Sequence, residues 1–235
     1  MKITLLTGRT FDFSKHFDFE IKVLKSSRAK RLTIRIDEKN HCPVLTIPKY
    51  CSQKQAFAFL ESNRDWITNM LARLPSQQQF YNGESLSFFG EKITIDQKST
   101  YRGAVLEEGI LKIGGTKEFL HRRVTDFLKK ETLERLSVLS VEKAKTLKAH
   151  LCSVQIKDTK SRWGSCSTRG NINYNWRICL APPEVIDYLV AHEVSHLVHP
   201  DHSKAFWQTV ASLCPSHKDC RRWLKVKGKE LYIYI

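Results

Sequence analysis

At 235 residues the chain is long enough for one large domain or two small ones, with a buried apolar core. Its 41% hydrophobic and 27% charged residues are those of a globular protein, and no apolar run approaches the ~20 residues that a membrane-spanning helix needs. Lysine and arginine outnumber aspartate and glutamate by 39 to 24, a formal charge of +15 that attracts polyanions or acidic partners.

In chain order, the first dense basic stretch is residues 22–35, where Lys22, Lys25, Arg28, Lys30, Arg31 and Arg35 meet no acidic residue. Within and after it, residues 32–36 and 44–47 alternate apolar and polar side chains about a polar turn at 37–40, the pattern of a hairpin. Ser52 is placed to cap a helix running to about Leu74, with Ala56, Leu60 and Ile67 on its apolar side and Pro75 closing it. Gly83 and Gly90 punctuate further strands, including residues 92–95 and 110–113.

From residue 117 to about 147 the spacing turns helical, with Phe119, Leu120, Val124, Phe127 and Leu128 three and four apart. Strands are expected over 153–158 and 161–166, a turn at 167–170, and a further strand over 171–180. Pro182-Pro183 opens a helix to about His199, since proline is tolerated in a first turn. Pro200 ends it, and shorter helices follow Ser203 and Ser216. The sum is an α+β fold: a mostly β region with one helix over 1–114, then a zincin-like helix–sheet–helix domain over 115–235.

The seven cysteines are odd in number, contain no CxxC pair and suggest no disulfide framework. The apolar patch at residues 1–6 is too short for a signal peptide, so a cytoplasmic protein is expected. Cys214 and Cys220 lack the second pair that a structural zinc site would need.

His192-Glu193-Val194-Ser195-His196 is an HExxH pattern inside the expected helix. Residues four apart share one helical face, so both imidazoles can hold one cation while Glu193 stands beside them. A catalytic zinc takes three protein ligands and keeps a position open for water, whose proton a glutamate can accept. Chance produces such a match about 0.02 times in a chain of this composition. For the third ligand His199 and His202 compete, with His217 a remote candidate read rather as a surface histidine. His199 lies along nearly the same helical face, which completes a tetrahedron poorly. His202 follows Pro200-Asp201, where a turn can bring its ring back over the metal, and geometry places it ahead of His199.

Around this motif, the stretch from Arg162 to Cys166 is read as lining a substrate groove or as Trp163 packing beside a Gly164 turn. Cys166 is read as an inert thiol rather than a nucleophile. Tyr188 reads as core packing or as a hydrogen-bond donor near the site, and Asp201 as a carboxylate orienting His202. Phe206 and Trp207 are expected to pack the following helix and hold His202 in place.

The stretch from Lys160 to Cys166, Asn171-Ile172-Asn173 with Trp176-Arg177, Ala181 to Tyr188, His192 to His196 and Asp201-His202-Ser203 with Phe206-Trp207 resemble the YgjP-like metallopeptidases. Arg28 to Leu32 and Asp65-Trp66-Ile67 fit as well, so the resemblance covers most of the chain. The HExxH…H arrangement is also similar to the SprT and Spartan proteases, which digest protein crosslinked to DNA. The resemblance implies zinc, a protein or peptide substrate, and the histidine of Asp-His-Ser, here His202, as the third ligand. The chain departs from the usual pattern at Asp201, where asparagine is common, and at Val194-Ser195. Neither change touches a ligand.

Three readings follow. One is a zinc peptidase with Glu193 as general base. Another is a basic nucleic-acid-binding module with a structural metal. The third joins them as a peptidase recruited to nucleic-acid-associated proteins, for which charge is the direct support, because no helix-turn-helix, zinc-finger or RNA-recognition signature is present.

Overall fold

The computed structural model describes residues 3–4, 10–11, 16–37, 40–74, 78–159 and 162–234. Its internal contacts divide the chain into two units, Met1–Ser76 and Gln77–Ile235.

The first unit contains a short antiparallel pair, β1 (Ile3–Thr4) and β2 (Thr10–Phe11). A three-stranded sheet follows from β3 (Lys22–Ser26), β4 (Thr33–Asp37) and β5 (Cys42–Pro48) in the order β3-β5-β4. Strand β5 is central, parallel to β3 and antiparallel to β4, and its Val44, Leu45 and Ile47 are fully buried. The β4–β5 pair is the expected hairpin; residues 38–39 of its turn lie outside the described residues. Ser52 caps α1 (Gln53–Ser62) through a reciprocal capping box with Gln55.

The single helix expected to Leu74 is interrupted at Asn63, where the backbone leaves helical geometry and the side-chain amide donates to the Phe59 carbonyl at 2.8 Å. Such a local bond offers the chain an alternative to the helix ladder. Helix α2 (Arg64–Ala72) then resumes, and Pro75 lies outside the described residues. Ala56, Leu60 and Ile67 close the core over Leu45 and Ile47.

The second unit opens with a four-stranded sheet of β6 (Ser85–Phe88), β7 (Glu91–Lys98), β8 (Ala104–Glu107) and β9 (Ile110–Gly114), in the order β6-β7-β9-β8. Helix α3 (Leu120–Thr146) follows a 3-10 turn at Lys117–Phe119. Its first half, with Leu120, Val124 and Leu128, covers Phe88, Ile93, Ile95 and Leu111 of the sheet. Its second half, with Leu136 and Ala144, joins the core around the last helices. One helix thus serves two cores, and the strands of residues 85–114 fall in the second unit by contacts.

A second sheet comprises β10 (Ser153–Lys157), β11 (Gly164–Cys166) and β12 (Asn171–Asn175) in the order β10-β12-β11. Strand β12 is shorter than the expected run to 180. The Asn175 side chain accepts from the Arg177 backbone N–H at 3.0 Å and starts a 3-10 helix, Trp176–Leu180. Then come α4 (Pro183–Ser195), α5 (Lys204–Leu213), α6 (His217–Lys227) and a 3-10 helix, Gly228–Ile233. Val185, Ile186, Leu189, Val190, Ala191 and Val194 bury α4 among β12, α3 and the later helices. Helix α4 ends at Ser195, short of the expected His199, because the N–H groups of His196 and Leu197 bond carbonyls three residues back and tighten the chain. Among the described residues, no helix is long and apolar enough to cross a membrane.

Candidate metal centre

Helix α4 carries His192 and Glu193 in its last turn, with His196 as the capping residue one turn further on. The chain then turns through Pro200-Asp201. The Ser203 hydroxyl accepts from the Phe206 N–H at 3.4 Å and starts α5, so His202 stands between the two helices. Its Nε2 lies 3.3 Å from Nε2 of His192, and one ring nitrogen from each of His192, His196 and His202 falls within 4.8 Å of the others. Ligands about 2.0–2.1 Å from a tetrahedral zinc stand roughly 3.3–3.4 Å apart. The His192–His202 separation matches that edge.

The state of the His192 and His196 rings suits a cation. Nδ1 of His196 donates to the His199 carbonyl at 3.0 Å, which leaves its Nε2 with a lone pair. Burial, then the neighbouring His196 and His202, and lastly Arg221, push His192 down to about 3, so its ring is neutral. Its Nδ1 is buried without a hydrogen-bond partner, and Nε2 faces the equivalent atom of His202. Converging lone pairs of this kind are satisfied by a metal ion. His199 goes elsewhere: its Nε2 meets the Thr209 hydroxyl at 3.1 Å. The fold therefore brings His202, and not His199, to the other two.

Phe206 is fully buried behind the cluster. Its ring stacks on His196 at 4.5 Å and meets His192 and His202 edge-on at 5.0 and 4.8 Å. Trp207 stacks on His202 at 5.9 Å. These contacts give Phe206 and Trp207 the packing role expected of them. Asp201 does not orient His202 through its carboxylate; it accepts from the Ser203 N–H at 3.3 Å and shapes the turn.

Glu193 is 4% exposed, and burial pushes its carboxyl up to about 8. It packs on Gly164 of β11, where a Cβ would fall onto the carboxylate. A cavity of about 330 Å³ lies between β11 and the histidines, lined by Ser165, Cys166 and Thr168 with all three rings and Glu193. Strand β11 pairs with β12 on one side, and among the described residues no strand pairs with its other edge. Burial, and secondarily the charge of Glu193, pushes the Cys166 thiol up to about 11, which agrees with an inert thiol.

A second cavity, of about 370 Å³, shares Gly164, His192 and Glu193 with the first and extends to Trp163, Tyr188 and Arg221. Trp163 both lines it and packs against Tyr232, with ring centroids 5.1 Å apart. Tyr188 sets its ring 5.9 Å from His192, and burial pushes its phenol up to about 12.

An α+β domain with three imidazoles converging from one helix and the turn beyond it is a candidate metal-binding domain. The chain belongs to the YgjP-like family: the family model described as YgjP-like, metallopeptidase domain, matches residues 30–227. No curated protein and no solved structure matches it.

Sequence reasoning did not reach two features. Gly164, expected either to line a groove or to permit a turn, lines both cavities and also makes room for Glu193. Arg221 lies in a dense basic run over residues 218–229, whose cations outnumber Asp219, and α6 brings it to the cavity wall. The signal for Arg221 was its place in an amphipathic helix beside Leu224, and its target could not be read locally. Gly164→Ala is expected to cost about 1–3 kcal/mol of unfolding free energy by overpacking and to lower any hydrolysis that depends on Glu193. Urea denaturation beside a cleavage assay measures both; unchanged stability with full activity would show that the carboxylate has room to move.

Proposed function

We propose that the chain is a zinc-dependent peptidase in which His192, His196 and His202 hold the metal and Glu193 is the general base. The convergence of three imidazoles beside a buried carboxylate carries this reading. When bound there, zinc supplies Lewis acidity that makes water nucleophilic near neutral pH and polarises a carbonyl. Glu193 accepts the proton of the attacking water and passes it to the leaving amine. Burial alone favours its protonated form, and a neighbouring cation favours the ionised form that a base requires. The edge of β11 that no strand pairs among the described residues takes an extended peptide as an added strand and lays it past the histidines.

The charge of +15 supports a second reading, in which a basic surface binds nucleic acid and the metal is structural. A structural zinc normally takes a fourth cysteine or histidine, and the described residues supply three. That favours the peptidase, with nucleic acid as a recruiting partner for protein substrates. The test is degradation of an unfolded protein by metal-free and zinc-restored chain, with and without single-stranded DNA. Cleavage with zinc alone supports the peptidase, and a DNA stimulation that fades as salt rises supports recruitment. DNA binding with no cleavage in restored zinc supports the structural-metal reading.

A further inference from the structure

Resting on the peptidase reading, we infer that the cavity of about 370 Å³ beside Glu193 is a specificity pocket for a substrate carboxylate on a residue flanking the scissile bond. Gly164, Tyr188, His192 and Glu193 form its end at the candidate metal centre, and the remaining walls, away from the Glu193 carboxylate, fall into two chemical classes. Trp163, Leu189 and Leu224 are apolar, whereas Arg162, Arg221 and Lys225 are exposed cations. Among the described residues, none of these three cations forms an ion pair with an acidic side chain. Acidic partners elsewhere on this chain are not scarce. Arg222, adjacent to Arg221, pairs with Asp219 at 3.3 Å, and Lys227 pairs with Glu230 at 3.0 Å.

Arg221 is also held in place. Its guanidinium lies 4.6 Å over the ring of Trp207, the residue that stacks on His202. That cation–π contact restrains the guanidinium and leaves N–H donors available to a planar anion such as a carboxylate. Lys225 follows one helical turn later on α6, so two like charges share a face, an arrangement that repels itself until an anion enters. A glutamate side chain fits both classes, with methylenes against Trp163 and Leu224 and the carboxylate toward Arg221 and Lys225. A chain-terminal carboxylate presents the same anion, and the two sources are separated by experiment.

The test uses full-length protein and a set of peptides with glutamate, glutamine or lysine at one position, each with a free or an amidated C-terminus. Binding is measured on E193Q protein by fluorescence anisotropy, and cleavage sites and rates on zinc-loaded wild type by mass spectrometry. The expected result is about ten-fold tighter binding and about ten-fold higher kcat/KM for a carboxylate over its neutral counterpart, the size of one charge-assisted contact. R221E/K225E protein should reverse the preference toward lysine, and R221Q/K225Q should abolish it if the reversal variant fails to fold. Preference for internal glutamate regardless of amidation identifies the side chain, and preference lost on amidation identifies the chain terminus. Equal binding and equal cleavage of all peptides would overturn the pocket assignment and leave the peptidase reading standing. Selective binding without any cleavage would overturn the peptidase reading and leave the carboxylate pocket standing.

Discussion

Glu193→Gln is expected to keep a full complement of zinc and lose about 10²- to 10⁴-fold in kcat/KM, the usual contribution of a positioned general base. The substitution isolates proton transfer because it changes little else. Glutamine has the volume of glutamate, so it fits the space that Gly164 leaves beside α4. Glu193 is not among the residues whose ring nitrogens converge, so metal content should not change. Its side chain is nearly inaccessible, and neutralising a buried carboxyl adds no charge to be desolvated. Metal analysis beside peptide cleavage reads the two effects separately. Retained hydrolysis would remove Glu193 from the mechanism, and lost zinc would make it part of the metal site instead.

The second large effect distinguishes two histidines three residues apart. His202→Ala is expected to weaken zinc binding by more than the roughly 10- to 100-fold typical of a residue that merely orients a ligand. It removes one of three converging nitrogens, and its partner at 3.3 Å, Nε2 of His192, then faces solvent or an empty space. His199→Ala should leave zinc affinity nearly unchanged. The contact it offers His196 comes from its backbone carbonyl, which alanine retains. Its side chain loses only the bond to Thr209, a cost of about 1 kcal/mol in stability. Competition with a chromogenic chelator measures both variants, and the reverse order of affinities would move the third ligand to His199.

The parts of the site legible in the sequence are those set by local geometry. The spacing of His192 and His196 follows from helical periodicity alone, and Ser203 announces the helix that carries Phe206 and Trp207. His202 is legible because Pro200-Asp201 makes the chain turn beyond the helix, which ranks it ahead of His199. The elements that differ from expectation do so through side chains that bond their own backbone. Asn63 splits one expected helix into two by binding the Phe59 carbonyl, and Asn175 ends β12 by accepting from Arg177. Neither event leaves a mark in apolar periodicity.

Long-range packing was less legible. Helix α3 reads as one amphipathic run, yet its two halves enter different cores, and that determines which unit holds the strands of residues 85–114. The carboxylate pocket draws Trp163 from beside β11, Tyr188 from α4 and Arg221 from α6. These residues are separated by up to 58 positions, and no spacing rule joins them. In sequence the cations of α6 form one dense run, whereas folding sets the guanidinium of Arg221 over the ring of Trp207.

A zinc titration tests the metal-dependent mechanism most directly. The protein is stripped with a chelator, zinc is restored in steps, and hydrolysis of an unfolded protein is followed in wild type and E193Q. Hydrolysis by wild type should rise with zinc and saturate at a single equivalent per chain, while E193Q binds the same equivalent without hydrolysis. Hydrolysis that persists in metal-free protein, or saturation with zinc that produces no cleavage of any unfolded protein or peptide, would contradict a zinc peptidase built on His192, His196 and His202.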